Sequence, residues 1–393
     1  MRRPNGALPC AGPAVCGLAL PPPVTAEVPG GPASLGATPD CSAPGQQPVW
    51  PAPVSHPARM NSPPATPADE FAPTAAWATL WLRARLLKQL RDFFDARGFL
   101  AVETPLLSAE TVVDRYLDPI PVPWPAGSGP ARAESRLWLQ TSPEAGMKRL
   151  LAAGAPSIYQ ITRAFRDGER GPLHNPEFTL LEWYAIDQDM PAGMQLLSEL
   201  AEQLLGTGPA ERLSYRDAFL RHVQLDPHTA AIPELAAAAR RHGLVAWTAA
   251  ADTDRDGWLN LLLAHCVEPW LGRDGATIVY DYPASQAALA CHRRDGDVTV
   301  AERFELYVRG VELANGYHEL RDASELEDRW QQANAQRQSA GKPGLPSHPR
   351  LLAALRHGLP PCTGVALGVD RLVMLAARAE RLDDVLTFPV DRA

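Results

Sequence analysis

Lysine is almost missing from this chain: Lys88, Lys148 and Lys342 are the only ones in 393 residues, and arginine carries nearly all the positive charge. Biased nucleotide composition produces such a skew, and by itself it argues little about function. Positive charge is short overall, with 37 Lys and Arg against 45 Asp and Glu for a net charge of −8. That excludes a general nucleic-acid-binding surface, which would be basic. No apolar run approaches the ~18 residues that span a bilayer, so no membrane segment is expected. Cysteine is sparse: Cys10, Cys16, Cys41, Cys266, Cys291 and Cys362 form no CxxC pair and no other metal-ligand spacing. The last three are expected to be buried thiols in a reducing cytosol, which places the protein in the cytoplasm. Arg2-Arg3 followed by the apolar stretch 14–20 is too short for a secretory signal and lies among Pro9, Pro13 and Pro21-Pro22-Pro23. Internal repeats are also absent.

What is present divides into two parts. Residues 1–69 hold a large share of the 40 prolines among Gly, Ala and Ser, with little charge. Such a segment buries too little apolar surface to offset its ordering entropy and is expected to be disordered. Residues 70–393 suffice for a large folded unit. Apolar residues at Trp77, Leu80, Leu86, Leu90, Phe93 and Phe94 follow helical spacing, Gly98 ends that helix, and 99–103 reads as a strand stopped by Pro105. Residues 137–140 read as a strand leading into a helix capped by Ser142, with Pro143 and Glu144 in its first turn. The Ala- and Leu-rich stretch of about 192–263 reads as an inserted helical subdomain. Within it Asp252–Gly257 opens like a calcium loop, but Leu263 stands where the closing Glu is needed.

The centre of the chain is Phe165–Tyr184. An apolar strand delivers Arg166, a loop turns through Gly168, Gly171 and Pro172, and 178–184 returns as a strand. Glu182 and Tyr184, two residues apart, share one face. An arginine fork and a paired Glu/Tyr facing one cleft suit a substrate carrying phosphate and amine, although a solvated salt bridge on an ordinary hairpin gives the same pattern. Further on, Glu312, Asn315 and Glu319 crowd one strand end, where hard cations such as Mg²⁺ or cross-strand salt bridges would each account for the acids. Small residues alternate through Gly364–Gly368, consistent with a strand lying close under a ligand, and a helix starting there brings Arg371 to its anion-binding end.

Taken in order, Arg97-Gly98-Phe99 through Pro105, then Phe165-Arg166 with His174–Phe178, then Gly364–Arg371 resemble motifs 1, 2 and 3 of class II aminoacyl-tRNA synthetases. Thr141-Ser142-Pro143-Glu144, 174–179 and Glu312–Gly316 are like the lysine branch. The resemblance runs from about Trp77 to Ala393. It implies an α+β catalytic core, an antiparallel sheet flanked by helices, and a homodimer joined through the first helix and strand. Lysyl-tRNA synthetases carry an anticodon-binding barrel ahead of this core, and here that place holds the Pro-rich stretch. The chain therefore looks like the truncated paralogues, the elongation factor P–(R)-β-lysine ligases. These activate (R)-β-lysine with ATP and Mg²⁺ and transfer it to a lysine of elongation factor P, so no tRNA partner is expected. A minimal lysyl-tRNA synthetase and a non-catalytic lysine sensor are the alternatives.

By that resemblance Arg166 grips the α-phosphate and Arg371 the γ-phosphate. Asp167, Gly168, Asn175, Glu312, Leu313 and Gly368 complete the ATP site. Ser142, Pro143, Glu144, Glu182, Tyr184, Glu319 and Ala366 surround the amino acid, and Glu312 and Glu319 hold metal. Two positions depart from the family. Arg166-Asp167-Gly168 stands where Arg-Asn-Glu is common, which displaces the acid to Glu169. Ala366 replaces a glycine, and one methyl in a tight pocket is worth ~1–3 kcal/mol of preference between α- and β-lysine.

Overall fold

The computed structural model describes residues 71–124, 136–244 and 254–393; the stretch expected to be disordered, 1–69, lies outside them. Ile158–Phe165 and Glu177–Ile186 are dense in β-branched and aromatic side chains, which favours strand. They form β5 and β6, the expected long antiparallel hairpin. This hairpin seeds a nine-stranded sheet. On one side β5 pairs in parallel with the short β1 (Leu100–Ala101). On the other, β6 is followed by β12 (Cys362–Gly368), β11 (Val311–His318), β10 (Val298–Val308) and β8 (Ala276–Pro283), all antiparallel. The edge strand β7 (Glu211–Ser214) runs parallel to β8, and β9 (His292–Asp295) pairs with β10. A separate small sheet orders β2 (Leu107–Ser108), β4 (Arg136–Leu139) and β3 (Pro121–Pro123). This is the α+β class read from the sequence.

Strand periodicity sorts the sheet's two faces. On β6 Leu181 and Trp183, and on β12 Val365 and Leu367, go into the main core, while Leu180, Glu182 and Tyr184 with Gly364, Ala366 and Gly368 line the opposite cavity. Helix α1 (Trp77–Asp95) lays Leu86, Leu90, Phe93 and Phe94, an i, i+4, i+7, i+8 stripe, into that core. Its first turns leave Trp77 and Trp81 facing solvent at 69% and 62% exposure, more apolar surface than a single chain uses. Gly98, at φ +74°, makes the left-handed turn from α1 into β1. The same core takes α3 (Met190–Leu205), whose Asp189 cap accepts the Ala192 N–H at 3.0 Å, and α9 (Val369–Ala377). A second core gathers α4 (Tyr215–His222), α5 (Ile232–Arg241) and α6 (Arg255–Leu262) on β8 and β10. A third joins α7 (Ala323–Ser339) to α8 (Pro349–Gly358), and α2 (Glu144–Ala152) packs Met147 and Leu151 with Ile158 and Tyr184.

Local structure adds detail at three places. The strand over 99–103 shrinks to Leu100–Ala101, because it pairs with the end of β5 alone. Among the described residues of 192–263 the helices are joined by one strand: β7 extends the sheet, and the helices on both sides of it share cores with sheet strands. The acidic loop before α6 serves as its cap, with Asp254 accepting the Gly257 N–H at 3.0 Å, while Asp252 lies outside the described residues. Among the described residues, no helix is long and apolar enough to cross a membrane.

One clamp ties α1, β6 and α9 together. Asp370 in the first turn of α9 accepts Arg83 Nη1 at 2.6 Å and the Thr179 N–H at 2.7 Å, and Arg83 Nη2 donates to Thr179 Oγ1 at 2.7 Å. Removing one partner of a buried ion pair strands the other charge, which costs about 3–5 kcal/mol. Asp370→Ala is therefore expected to lose about that much stability in urea unfolding, and Asp370→Asn less, since it keeps the shape. A loss under about 1 kcal/mol for Asp370→Ala would show that the clamp holds nothing.

Candidate active site

The face of the sheet opposite the main core opens into a cavity of about 800 Å³. One end is acidic. Tyr184 Oη donates to Glu182 Oε1 and Ser142 Oγ to Glu182 Oε2, both at 2.7 Å. The helix α2 begins at Glu144 with Pro143 at the cap position, so Ser142 caps from one residue further out, its Oγ accepting the Glu144 N–H at 3.1 Å. One turn along α2, Lys148 is buried, and its Nζ lies 2.5 Å from both Glu144 Oε1 and Glu319 Oε2. Gly364 permits this packing. A Cβ there would sit 2.1 Å from Glu319 Oε1 and 2.4 Å from the Tyr184 ring. Its small size serves those two side chains first, and a ligand only through them.

The charges at this end do not balance. Three carboxylates, Glu144, Glu182 and Glu319, share one ammonium. Burial alone would lower the Lys148 pKa, but the charges of Glu144 and Glu319 outweigh it and hold the ammonium protonated. The acids are pushed up as well. Burial and then the charge of Glu144 raise Glu182 to about 7, against the opposing hydrogen bonds of Ser142 and Tyr184. Burial raises Glu319 to about 8 even with Lys148 beside it. Both partners of the Lys148–Glu319 pair are thus raised. The ammonium is divided between two acids while a third adds its field, so the pair is tight and the set still lacks positive charge.

The other end is basic. Arg166, just beyond β5, holds its guanidinium 4.9 Å over the Phe178 ring, and its Nε is buried without a hydrogen-bond partner. Arg371, in the first turn of α9, donates Nη1 to the Glu312 carbonyl at 2.8 Å and Nε to the Leu173 carbonyl at 3.3 Å. Its Nη2 meets His174 Nε2 at 2.9 Å; burial and then the Arg371 charge lower the His174 pKa, which suits a neutral, accepting imidazole. Between the two ends lies a second group of acids. Tyr282 Oη donates to Glu305 Oε2 at 2.6 Å, and Arg303 and Tyr307 also bind Glu305. Burial and then Glu305 raise Glu312, with Arg371 pulling it back. Glu268 is pushed up to about 7 by burial and by Glu305 and Glu312.

The cavity lining brings together Ser142, Glu144, Arg166, Asn175, Glu182, Tyr184, Glu312, Leu313, Glu319, Ala366, Gly368 and Arg371. Pro143 is buried behind it, while Asp167 and Gly168 are exposed outside it and Glu169 takes their place in the wall. The Asn175 amide is already occupied, with Nδ2 donating to the Glu177 carbonyl at 2.7 Å and Oδ1 accepting the Val390 N–H at 3.1 Å. Glu312 and Glu319 stand near opposite ends of β11. Glu319 is committed to Lys148, whereas Glu312 has Glu305 and Glu268 for neighbours. Lys148, Glu305 and Glu268 are absent from the sequence expectation. The first was legible as an i, i+4 pair with Glu144, and the second from the hairpin register that sets Glu305 opposite Asn315. Glu268 follows no periodic pattern.

Comparison with known proteins agrees with this geometry. The model of class II tRNA synthetases (D, K and N) matches residues 73–392. An elongation factor P–(R)-β-lysine ligase of Hamiltonella defensa is 48% identical over 327 residues, covering 83% of this chain and 99% of that protein. The proteins of the same description from Yersinia enterocolitica and Edwardsiella ictaluri are each 50% identical, covering 82% of this chain and 98% of their own lengths. The chain belongs to the class II tRNA synthetase family, in its branch of elongation factor P–(R)-β-lysine ligases.

Proposed function

We propose that this chain activates (R)-β-lysine with ATP as an aminoacyl-adenylate and transfers it to the ε-amine of a lysine on elongation factor P, in the cytoplasm. The observation that supports it best is the opposition of two charge fields in one cavity. A diammonium carboxylate fits the acidic end with its amines and turns its carboxylate toward the arginines. Its carboxylate oxygen then attacks the α-phosphorus of ATP, and the bond to the leaving pyrophosphate breaks in line. Charge builds on the phosphate oxygens in that step, so fixed cations aimed at them lower the barrier most. Arg166, with a buried donor free, takes the α-phosphate, and Arg371, steadied by Glu312 and His174, takes the departing end. In the second step the lysine amine attacks the acyl carbon, AMP leaves, and the amine gives up a proton. Proximity suffices there, without a covalent enzyme intermediate.

The acids near Arg371 fit a hard divalent cation, since burial and then the charge of Glu305 raise Glu312 even against the pull of Arg371. Mg²⁺ is held by one or two carboxylates with substrate phosphates, and here Glu312 with Glu305 would hold it. Its chemistry is to neutralise phosphate charge.

The reaction itself is the test. With ATP and (R)-β-lysine, mass spectrometry should find one β-lysyl adduct on elongation factor P and no charging of tRNA. Arg166→Lys, which loses the two-donor fork, should cut ATP–pyrophosphate exchange by about 100-fold or more at an unchanged melting temperature. Charged tRNA with unmodified elongation factor P would favour a minimal lysyl-tRNA synthetase, and binding without turnover would favour a sensor. On the same reading, the exposed Trp77 and Trp81 of α1, with Leu100 of β1, seat a second copy of the chain. Sedimentation at micromolar concentration should give a dimer, and a fully active monomer would refute that arrangement.

A further inference from the structure

Cys291, Glu302 and His318 come from three different parts of the sequence and meet beside the acidic end of the cavity. Their sulfur, carboxylate and imidazole atoms all lie within 4.8 Å of one another. The backbone fixes the set. The Cys291 N–H donates to the His318 carbonyl, and the Glu302 N–H donates to the Cys291 carbonyl, each at 2.8 Å. His318 Nδ1 stands 2.5 Å from Glu302 Oε2, while the other oxygen, Oε1, faces Arg293 Nε at 3.7 Å. Cys291 Sγ donates to the Glu319 carbonyl at 3.1 Å.

We propose that Cys291, Glu302 and His318 form a zinc-binding site, with a thiolate, a carboxylate and an imidazole as protein ligands and water completing the set. The donors are those zinc selects, and three protein ligands with an open fourth position is a common zinc arrangement. The strand backbone supplies preorganisation that ligands on loops lack. On binding, bonds form from Sγ, Oε2 and Nδ1 to the metal, and the thiol proton leaves to solvent. Ligands about 2.0–2.3 Å from a tetrahedral ion lie about 3.3–3.7 Å from each other. Cys291 Sγ lies within 4.8 Å of both other ligand atoms and has only to close on the ion, and the His318–Glu302 contact, at 2.5 Å, has to open by about 1 Å. Both side chains have room to do so, at 24% and 17% exposure. Binding removes the Sγ–H donor from the carbonyl of Glu319, which joins the site to the acid that holds Lys148. The sequence gives no warning of this set, because the ligands are 11 and 16 residues apart (291 to 302, 302 to 318).

Zinc titration of the reduced, full-length chain against a chromophoric chelator tests the site. Wild type should bind one zinc that Cys291→Ser loses, with affinity falling by more than about tenfold, and the isosteric Glu302→Gln should weaken it in the same direction. With cobalt, wild type should show a thiolate-to-metal charge-transfer band that Cys291→Ser lacks. Circular dichroism of the two variants without metal should match wild type. Equal binding by wild type and Cys291→Ser would place the metal on other cysteines and overturn the proposal, as would no binding by wild type.

Discussion

A single buried ammonium, Lys148, holds the acidic end of the cavity together. It joins α2 to the end of β11 through Glu144 and Glu319, with Lys148 and Glu319 almost wholly buried and Glu144 partly exposed. A buried carboxylate without a partner is costly, and here three of them have one cation among them. The consequence is visible in Glu182 and Glu319, whose affinities for protons rise toward neutrality. Such a set is poorly satisfied when empty and well satisfied by a ligand bringing two ammonium groups. Gly364 is the residue that makes room for this packing.

The two ends of the cavity answer different needs on one sheet face. Alternation along β6 and β12 places Glu182, Tyr184, Gly364, Ala366 and Gly368 toward the cavity while Leu181, Trp183, Val365 and Leu367 anchor the strands in the core. The arginines arrive from outside the strands, Arg166 from the loop after β5 and Arg371 from the first turn of α9. A long cavity with cations at one end and acids at the other orients an amino acid by its own charges before any shape is matched. The Asp370 clamp keeps α9, and so Arg371, in position against β6 and α1.

Much of this was legible in the sequence, for identifiable reasons. The β5–β6 hairpin, the shared face of Glu182 and Tyr184 and the strand-to-helix passage at Gly368 follow from periodicity and from Gly and Pro placement. What escaped is contact between segments far apart in the chain. Ser142 reads as a helix cap, yet it also bonds Glu182, forty positions on. Cys291 reads as an isolated thiol until the β-ladder sets it beside Glu302 and His318. Asn175 reads as lining the nucleotide site, and it stands in the cavity wall, but its bond to the Val390 N–H joins it to a segment more than two hundred residues on. The strand β7 is hidden because four residues carry too little pattern to stand out between helices.

The acidic end is short of positive charge, the deficit that the proposed diammonium ligand fills. Glu182 at about 7 and Glu319 at about 8 are partly protonated in the free protein near neutral pH. Two ligand ammonium groups are expected to lower both values, so binding should expel protons, and affinity should fall as pH drops below about 8. Isothermal calorimetry of (R)-β-lysine binding, repeated near pH 7.5 in buffers of differing ionisation enthalpy, reads this directly. The account predicts release of on the order of one proton per site. Binding with no proton exchange, or with proton uptake, would contradict it.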